Sequence, residues 1–130
     1  MWYLVTIILI FVATLLLSLA MIHLGFRVPR NPEKTDPGRL ELAFQTISIP
    51  TVSHKRLFGW LIPVHDATST IVILHGWGGN AEQMLPMALP FHQAGMNVLL
   101  VDSRNHGRSD RDGFSSLPRF ARIWKRQSNG

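Results

Sequence analysis

The chain has 130 residues, 46% of them apolar, with 13 Lys and Arg against 8 Asp and Glu and no cysteine. That length allows one modest domain. The missing cysteines leave the redox compartment unreadable and offer no thiolate to a metal. A formal charge of +5 raises nucleic acid or anionic lipid as partners. Eight of the thirteen basic residues, however, fall in two clusters, Arg27, Arg30, Lys34 and Arg39, then Arg119, Arg122, Lys125 and Arg126. Neither cluster carries a known nucleic-acid motif, so no nucleic-acid partner is expected.

Met1 to Phe26 contains no Asp, Glu, Lys or Arg. About 20 apolar residues span a bilayer core as a helix, and Trp2 and Tyr3 suit the interface at one end. The segment therefore predicts a single-pass signal-anchor over 1–26, with the lipid bilayer as partner. A cleaved signal peptide is the alternative, and Ser18-Leu19-Ala20 is a small-x-small pattern that fits it. Against cleavage, no Lys or Arg precedes the run, and the run is longer than an ordinary signal core. The flanking Arg27, Arg30, Lys34 and Arg39 predict that the soluble part stays on the cytoplasmic side.

Residues 27–44 read as a linker, because Pro29, Pro32 and Pro37-Gly38 interrupt any regular element. Gln45–Ile49 alternates and breaks at Pro50; Arg56–Ile62 is strand-like up to Pro63, with Gly59 a candidate bulge. These two pieces predict an antiparallel hairpin. Thr70–Leu74 and Asn97–Val101 are apolar runs of the kind found in central strands with both sheet faces covered. Between them Asn80 is a fit N-cap, with Gln83 at the capping-box position. Leu85, Ala88, Leu89 and His92 recur at helical spacing, while Pro86 and Pro90 predict a kinked or broken helix ending at Gly95. The order β, β, β, α, β gives a mixed α/β sheet. Residues 121–130 have no period and read as an unstructured tail.

Two loops carry the chemistry: His75-Gly76-Trp77-Gly78-Gly79 after one apolar run, and Asp102-Ser103-Arg104-Asn105-His106-Gly107-Arg108-Ser109 after the next. Together they resemble the front half of an α/β-hydrolase over about residues 45–120. The resemblance implies a partial α/β-hydrolase domain whose first loop supplies an oxyanion-hole donor, the Trp77 backbone N–H. Gly76, Gly78 and Gly79 are expected to let that loop turn with φ > 0. The second loop resembles the family's D-x-R-G-H-G-x-S segment, with Asn105 in place of the commoner Gly. By that resemblance Asp102, Arg104, Asn105, His106, Gly107 and Ser109 are scaffolding, and His106 and His75 are structural histidines.

The family's nucleophile sits in G-x-S-x-G, followed by an acid and a histidine. No serine here stands in that pattern: Gly107-Arg-Ser109 and Gly113-Phe-Ser115 both lack the closing glycine. All six histidines (His23, His54, His65, His75, His92 and His106) lie in or before the second loop. The chain is thus expected to be the N-terminal portion of a membrane-anchored serine hydrolase, lacking its triad and inactive alone. A small-molecule ester, thioester or amide would be a substrate only in a full-length form. A non-enzymatic small membrane protein that keeps a hydrolase-like interaction module is the alternative. No metal ligand spacing is present and no cofactor is expected.

Overall fold

A computed structural model describes residues 1–51, 54–111 and 113 of the chain. The expected tail at 121–130 and the second basic cluster lie outside the described residues. Helix α1 (Trp2–Gly25) is 24 residues long, free of Asp, Glu, Lys and Arg, and buries no residue. By length and composition it can cross a membrane, and a signal sequence would pass the same test.

The rest is a four-stranded mixed sheet with strands β1 (Gln45–Pro50), β2 (Arg56–Ile62), β3 (Thr70–Leu74) and β4 (Asn97–Val101) in the order β1-β2-β4-β3. β1 and β2 form the expected hairpin in regular antiparallel register, from Gln45 opposite Leu61 to Pro50 opposite Arg56. Pro50 extends β1 by one residue beyond its expected end; an edge strand tolerates a missing N–H. β4 pairs antiparallel with β2 and parallel with β3, joined by the crossover through α2 (Leu85–Gln93).

Side-chain alternation along the strands sets the core. Phe58, Trp60 and Ile62 of β2, Ile73 of β3, and Val98 and Leu100 of β4 share one face, packed against Ala81, Leu85 and Ala88. Phe58 and Phe44 meet the Trp60 ring edge to face, at 5.5 and 6.1 Å between centroids. The opposite face carries Ile47, Ile49, Leu57, Leu61, Val72, Leu74, Leu99 and Val101 by register, and no described helix covers it. β4 is central as expected, but β3 is an edge of the described sheet.

The expected break in the helix is resolved into a 3-10 turn, Ala81–Met84, followed by α2. Asn80 caps the turn, its side-chain oxygen accepting the Gln83 N–H at 3.2 Å. Pro86 falls in the first turn of α2, where a missing N–H costs nothing, so the α-helix starts there and not at the Asn80 cap. α2 ends at Gln93. Gly95, at φ +84, closes it in a Schellman arrangement: its N–H donates to His92 O and the Met96 N–H to Phe91 O.

Gly59 is not a bulge. It pairs regularly with Ile47 and Val101, and a Cβ there would lie 2.8 Å from the Leu100 carbonyl oxygen. The glycine is needed for close backbone approach within an unbroken ladder.

Candidate functional site

Both motif loops leave the carboxyl ends of the parallel strands β3 and β4, so they meet at one end of the sheet. In the first loop the Gly79 N–H donates to Gly76 O at 3.1 Å, and His75 Nδ1 donates to the same carbonyl at 2.7 Å. That carbonyl thus accepts two hydrogen bonds from within the loop. Among the described residues the Trp77 and Gly78 amides find no hydrogen-bond acceptor, and the Trp77 side chain is 58% exposed. Two adjacent backbone N–H groups are therefore left without a protein acceptor on a turn closed by the Gly79–Gly76 bond.

The glycines play three different parts. Gly78 has φ +73, a region only glycine enters without penalty. Gly79 has no positive φ; a Cβ there would meet Gly76 O at 3.1 Å and the His75 Cβ at 3.2 Å, so crowding requires it. Gly76 also lacks positive φ, and a Cβ there meets nothing within 4 Å. The expectation of left-handed backbone at all three positions is thus met at Gly78 alone.

His75 ties the loops together. The Ser103 N–H donates to His75 Nε2 at 3.0 Å. Because Nε2 accepts, the proton sits on Nδ1, where it reaches Gly76 O. Both ring nitrogens are committed in a neutral ring. Burial, together with the nearby His106, holds its pKa below the usual histidine value. Asp102 Oδ1 lies 4.0 Å from Nε2, too far for a hydrogen bond to a nitrogen already engaged with Ser103. The His106 ring stands 4.8 Å from that of His75 and edge-on to Trp77 at 5.8 Å, with Nδ1 2.9 Å from Arg104 O.

Asp102 is the hub of the second loop. Its Oδ1 accepts the Ala81 N–H and its Oδ2 the Arg108 N–H, both at 2.7 Å, so one carboxylate fixes both the turn after the first loop and the end of the second. Ser109 is fully buried; its hydroxyl donates to Asp102 O at 2.6 Å and accepts the Phe58 N–H at 2.8 Å. It is no free nucleophile. Asn105 has φ +68, which explains why Asn can stand where Gly is commoner: after Gly it is among the residues that best tolerate left-handed backbone. Gly107, at φ +44, leaves room for two carboxyl groups, since a Cβ would collide with those of both Asp102 and Glu33.

Glu33 introduces what the sequence did not single out. The segment 27–44 is strapped across both loops. Arg30 donates from Nε to Gly107 O at 2.8 Å and from Nη2 to Ser109 O at 3.0 Å. Asn31 Nδ2 donates to Gly78 O at 2.9 Å, and Asn80 Nδ2 returns a bond to Asn31 O. The Lys34 N–H and the Thr35 hydroxyl donate to the two oxygens of Glu82, which lowers the Glu82 carboxyl pKa. Pro37 is buried and opens a 3-10 turn capped by Asp36. Between these ties both Glu33 oxygens are buried without a hydrogen bond of ordinary geometry, against Asp102. Burial first, then the Asp102 carboxylate, pushes the Glu33 carboxyl up to about 8, so it is protonated at neutral pH. Proline spacing marked this stretch as irregular; its partners, 47 to 79 residues away, left no local signal.

Comparison with solved structures agrees with the fold. The Pyrococcus furiosus esterase Pf2001 superposes with a TM-score of 0.68 at 23% identity, over 81% of this chain and 41% of that one. A second crystal form of it matches at 31% identity with a TM-score of 0.59, over 65% and 33%. The alpha/beta hydrolase GrgF from Penicillium sp. sh18 gives 0.60 at 23% identity, over 68% and 32%. This chain has an α/β-hydrolase-like fold. No family model matches the sequence. The uncharacterized protein YqkD of Bacillus subtilis (strain 168) is 36% identical over 61 residues, 47% of this chain and 20% of that protein. The hydrolase-like chain thus spans a fifth of the length of its curated relative and a third to two fifths of these solved structures.

Proposed function

We propose that this chain supplies the oxyanion side of a membrane-anchored acyl hydrolase, acting on ester, thioester or amide bonds, and does not turn over substrate by itself. The observation that carries the reading is the pair of amides at Trp77 and Gly78 left without an acceptor, on a loop held by the doubly bonded Gly76 carbonyl and by the His75–Ser103 bond. Fixed backbone donors stabilise the charge that develops on a carbonyl oxygen in acyl transfer without reorganising at the moment of reaction. The esterase and hydrolase names of the structural neighbours agree with acyl chemistry. Against turnover by these 130 residues stand the absent G-x-S-x-G and the commitment of Ser109 and His75 to structural bonds. The apolar helix α1, with Arg27 directly behind it, supports anchoring with the sheet on the cytoplasmic side.

That same commitment of polar groups also favours a second reading, a non-enzymatic membrane protein that uses the loops as an interaction module. Titrating the isotope-labelled chain in micelles with methylphosphonate separates the two. The acyl-hydrolase reading expects saturable amide shifts at Trp77 and Gly78. Shifts absent there, or spread evenly over basic side chains, would overturn it and leave the interaction module.

A further inference from the structure

The strap gives the first loop a location as well as a shape. Only three residues, Phe26, Arg27 and Val28, separate Gly25, the end of α1, from Pro29, whose ring touches the space above Gly78. Fully extended, the four steps from Gly25 to Pro29 reach at most ~14 Å. A 24-residue helix is ~36 Å long, about 6 Å more than a ~30 Å hydrocarbon core, so its end enters the headgroup layer. The loop cannot stray far from that end, because Asn31 bonds to Gly78 O in it and Arg30 to Gly107 O and Ser109 O in the second loop. At the tip stands Trp77. Beyond Phe26, the exposed large apolar side chains among the described residues are Leu40, Trp77 and Met87, and Trp77 is the most exposed.

A tryptophan half out of the protein is costly in water and favoured at a bilayer interface, where its ring lies among headgroups and acyl carbonyls. We infer that the loop Gly76–Gly79 is a membrane-facing surface, with Trp77 inserted at the interface of the bilayer that α1 spans. The carbonyl groups its free amides meet are then those of lipid esters, and the candidate site opens onto the lipid and not onto bulk water. This rests on the reading of α1 as a membrane anchor. The far end of the sheet provides the contrast: His65, with a side chain 94% exposed, precedes β3, a strand about 16 Å long, whereas the loop follows it.

The chain has no cysteine, so single labels can be placed cleanly. Gly76→Cys is suitable because a side chain there meets nothing within 4 Å and Trp77 is kept; His65→Cys is the control. Each full-length variant carries an NBD fluorophore and is reconstituted into phosphatidylcholine–phosphatidylglycerol liposomes. The expected result is flotation with the liposomes, loss of NBD emission at position 76 on adding doxyl-labelled lipid, and shielding of that position from aqueous iodide. Position 65 should show the reverse. Arg30→Ala with Asn31→Ala should still float but expose position 76 to iodide. Failure to float would overturn both the anchor and this inference. Flotation with position 76 as open to iodide as position 65 would overturn the inference alone. A label still shielded without Arg30 and Asn31 would refute the strap as the cause of its placement.

Discussion

Replacing Asp102 by Asn tests whether one carboxylate holds both loops. The native Oδ1 and Oδ2 each accept one backbone N–H, from Ala81 and from Arg108, at 2.7 Å. An Asn side chain of the same shape keeps one acceptor and presents an NH2 at the other place. One buried amide then faces a donor. A hydrogen bond to a charged group contributes about 1.5–3 kcal/mol, which is roughly a 10- to 150-fold change in a local opening constant at 1.4 kcal/mol per tenfold. Amide hydrogen exchange on the full chain in micelles reads this directly, since local opening reports the stability of the bonded amide. The expected outcome is a fall in protection of that size at Ala81 or Arg108, with Val98 and Leu100 in the sheet core unchanged. Native protection at both amides would refute the hub; loss everywhere would mean that the substitution acts on the whole fold.

Three further outcomes follow from the same geometry. The Glu33 carboxyl is pushed up to about 8 from its ordinary 4.5. The folded state therefore binds the extra proton between these values, and Glu33 makes strap docking weaker as pH rises from 4.5 to 8. Glu33→Gln should remove that slope, so that exchange protection of residues 29–39, corrected for intrinsic rate, exceeds the native value at pH 8 and matches it near pH 4.5. His75 works in the other direction. Its pKa is held below 6.5 by burial, so the loop junction should loosen as pH falls below 6.5, read as faster exchange of the Ser103 amide, which bonds to His75 Nε2. Gly78→Ala, at φ +73, should lower stability by about 1–2 kcal/mol, and Gly79→Ala should also destabilise through its contact with Gly76 O, whereas Gly76→Ala should stay within about 0.5 kcal/mol. Thermal midpoints of the three variants check the order.

What could be read from the sequence was what neighbours in sequence decide. The β1–β2 alternation, the apolar runs of β3 and β4, the Asn80 cap and the Gly95 stop are local signals, and each stands where its residues put it. Pro86 moved the α-helix start because proline suits a first turn, a distinction that spacing alone does not make. Gly59 looked like a bulge because close approach by Leu100 O, 41 residues away, leaves no mark beside it. The strap was illegible for the same reason. Arg30, Asn31 and Glu33 sit among prolines and mixed charges, and their composition is that of a solvated linker. Their bonds to Gly107, Ser109 and Gly78 exist only once the sheet has brought both loops to one end. At the site, the family resemblance pointed to the Trp77 loop and to structural histidines. It did not indicate that His75 reaches across to Ser103, nor that Asp102 would face a second, protonated carboxyl.

The central claim is that these 130 residues carry the oxyanion side of an acyl hydrolase without a working nucleophile. Intact-mass analysis of the full chain after treatment with a serine-reactive fluorophosphonate, alongside turnover of p-nitrophenyl acetate, tests it most directly. The account predicts no adduct and no turnover above buffer. A stoichiometric adduct mapped to Ser103, Ser109, Ser115 or Ser116, with turnover lost when that serine becomes Ala, would contradict it.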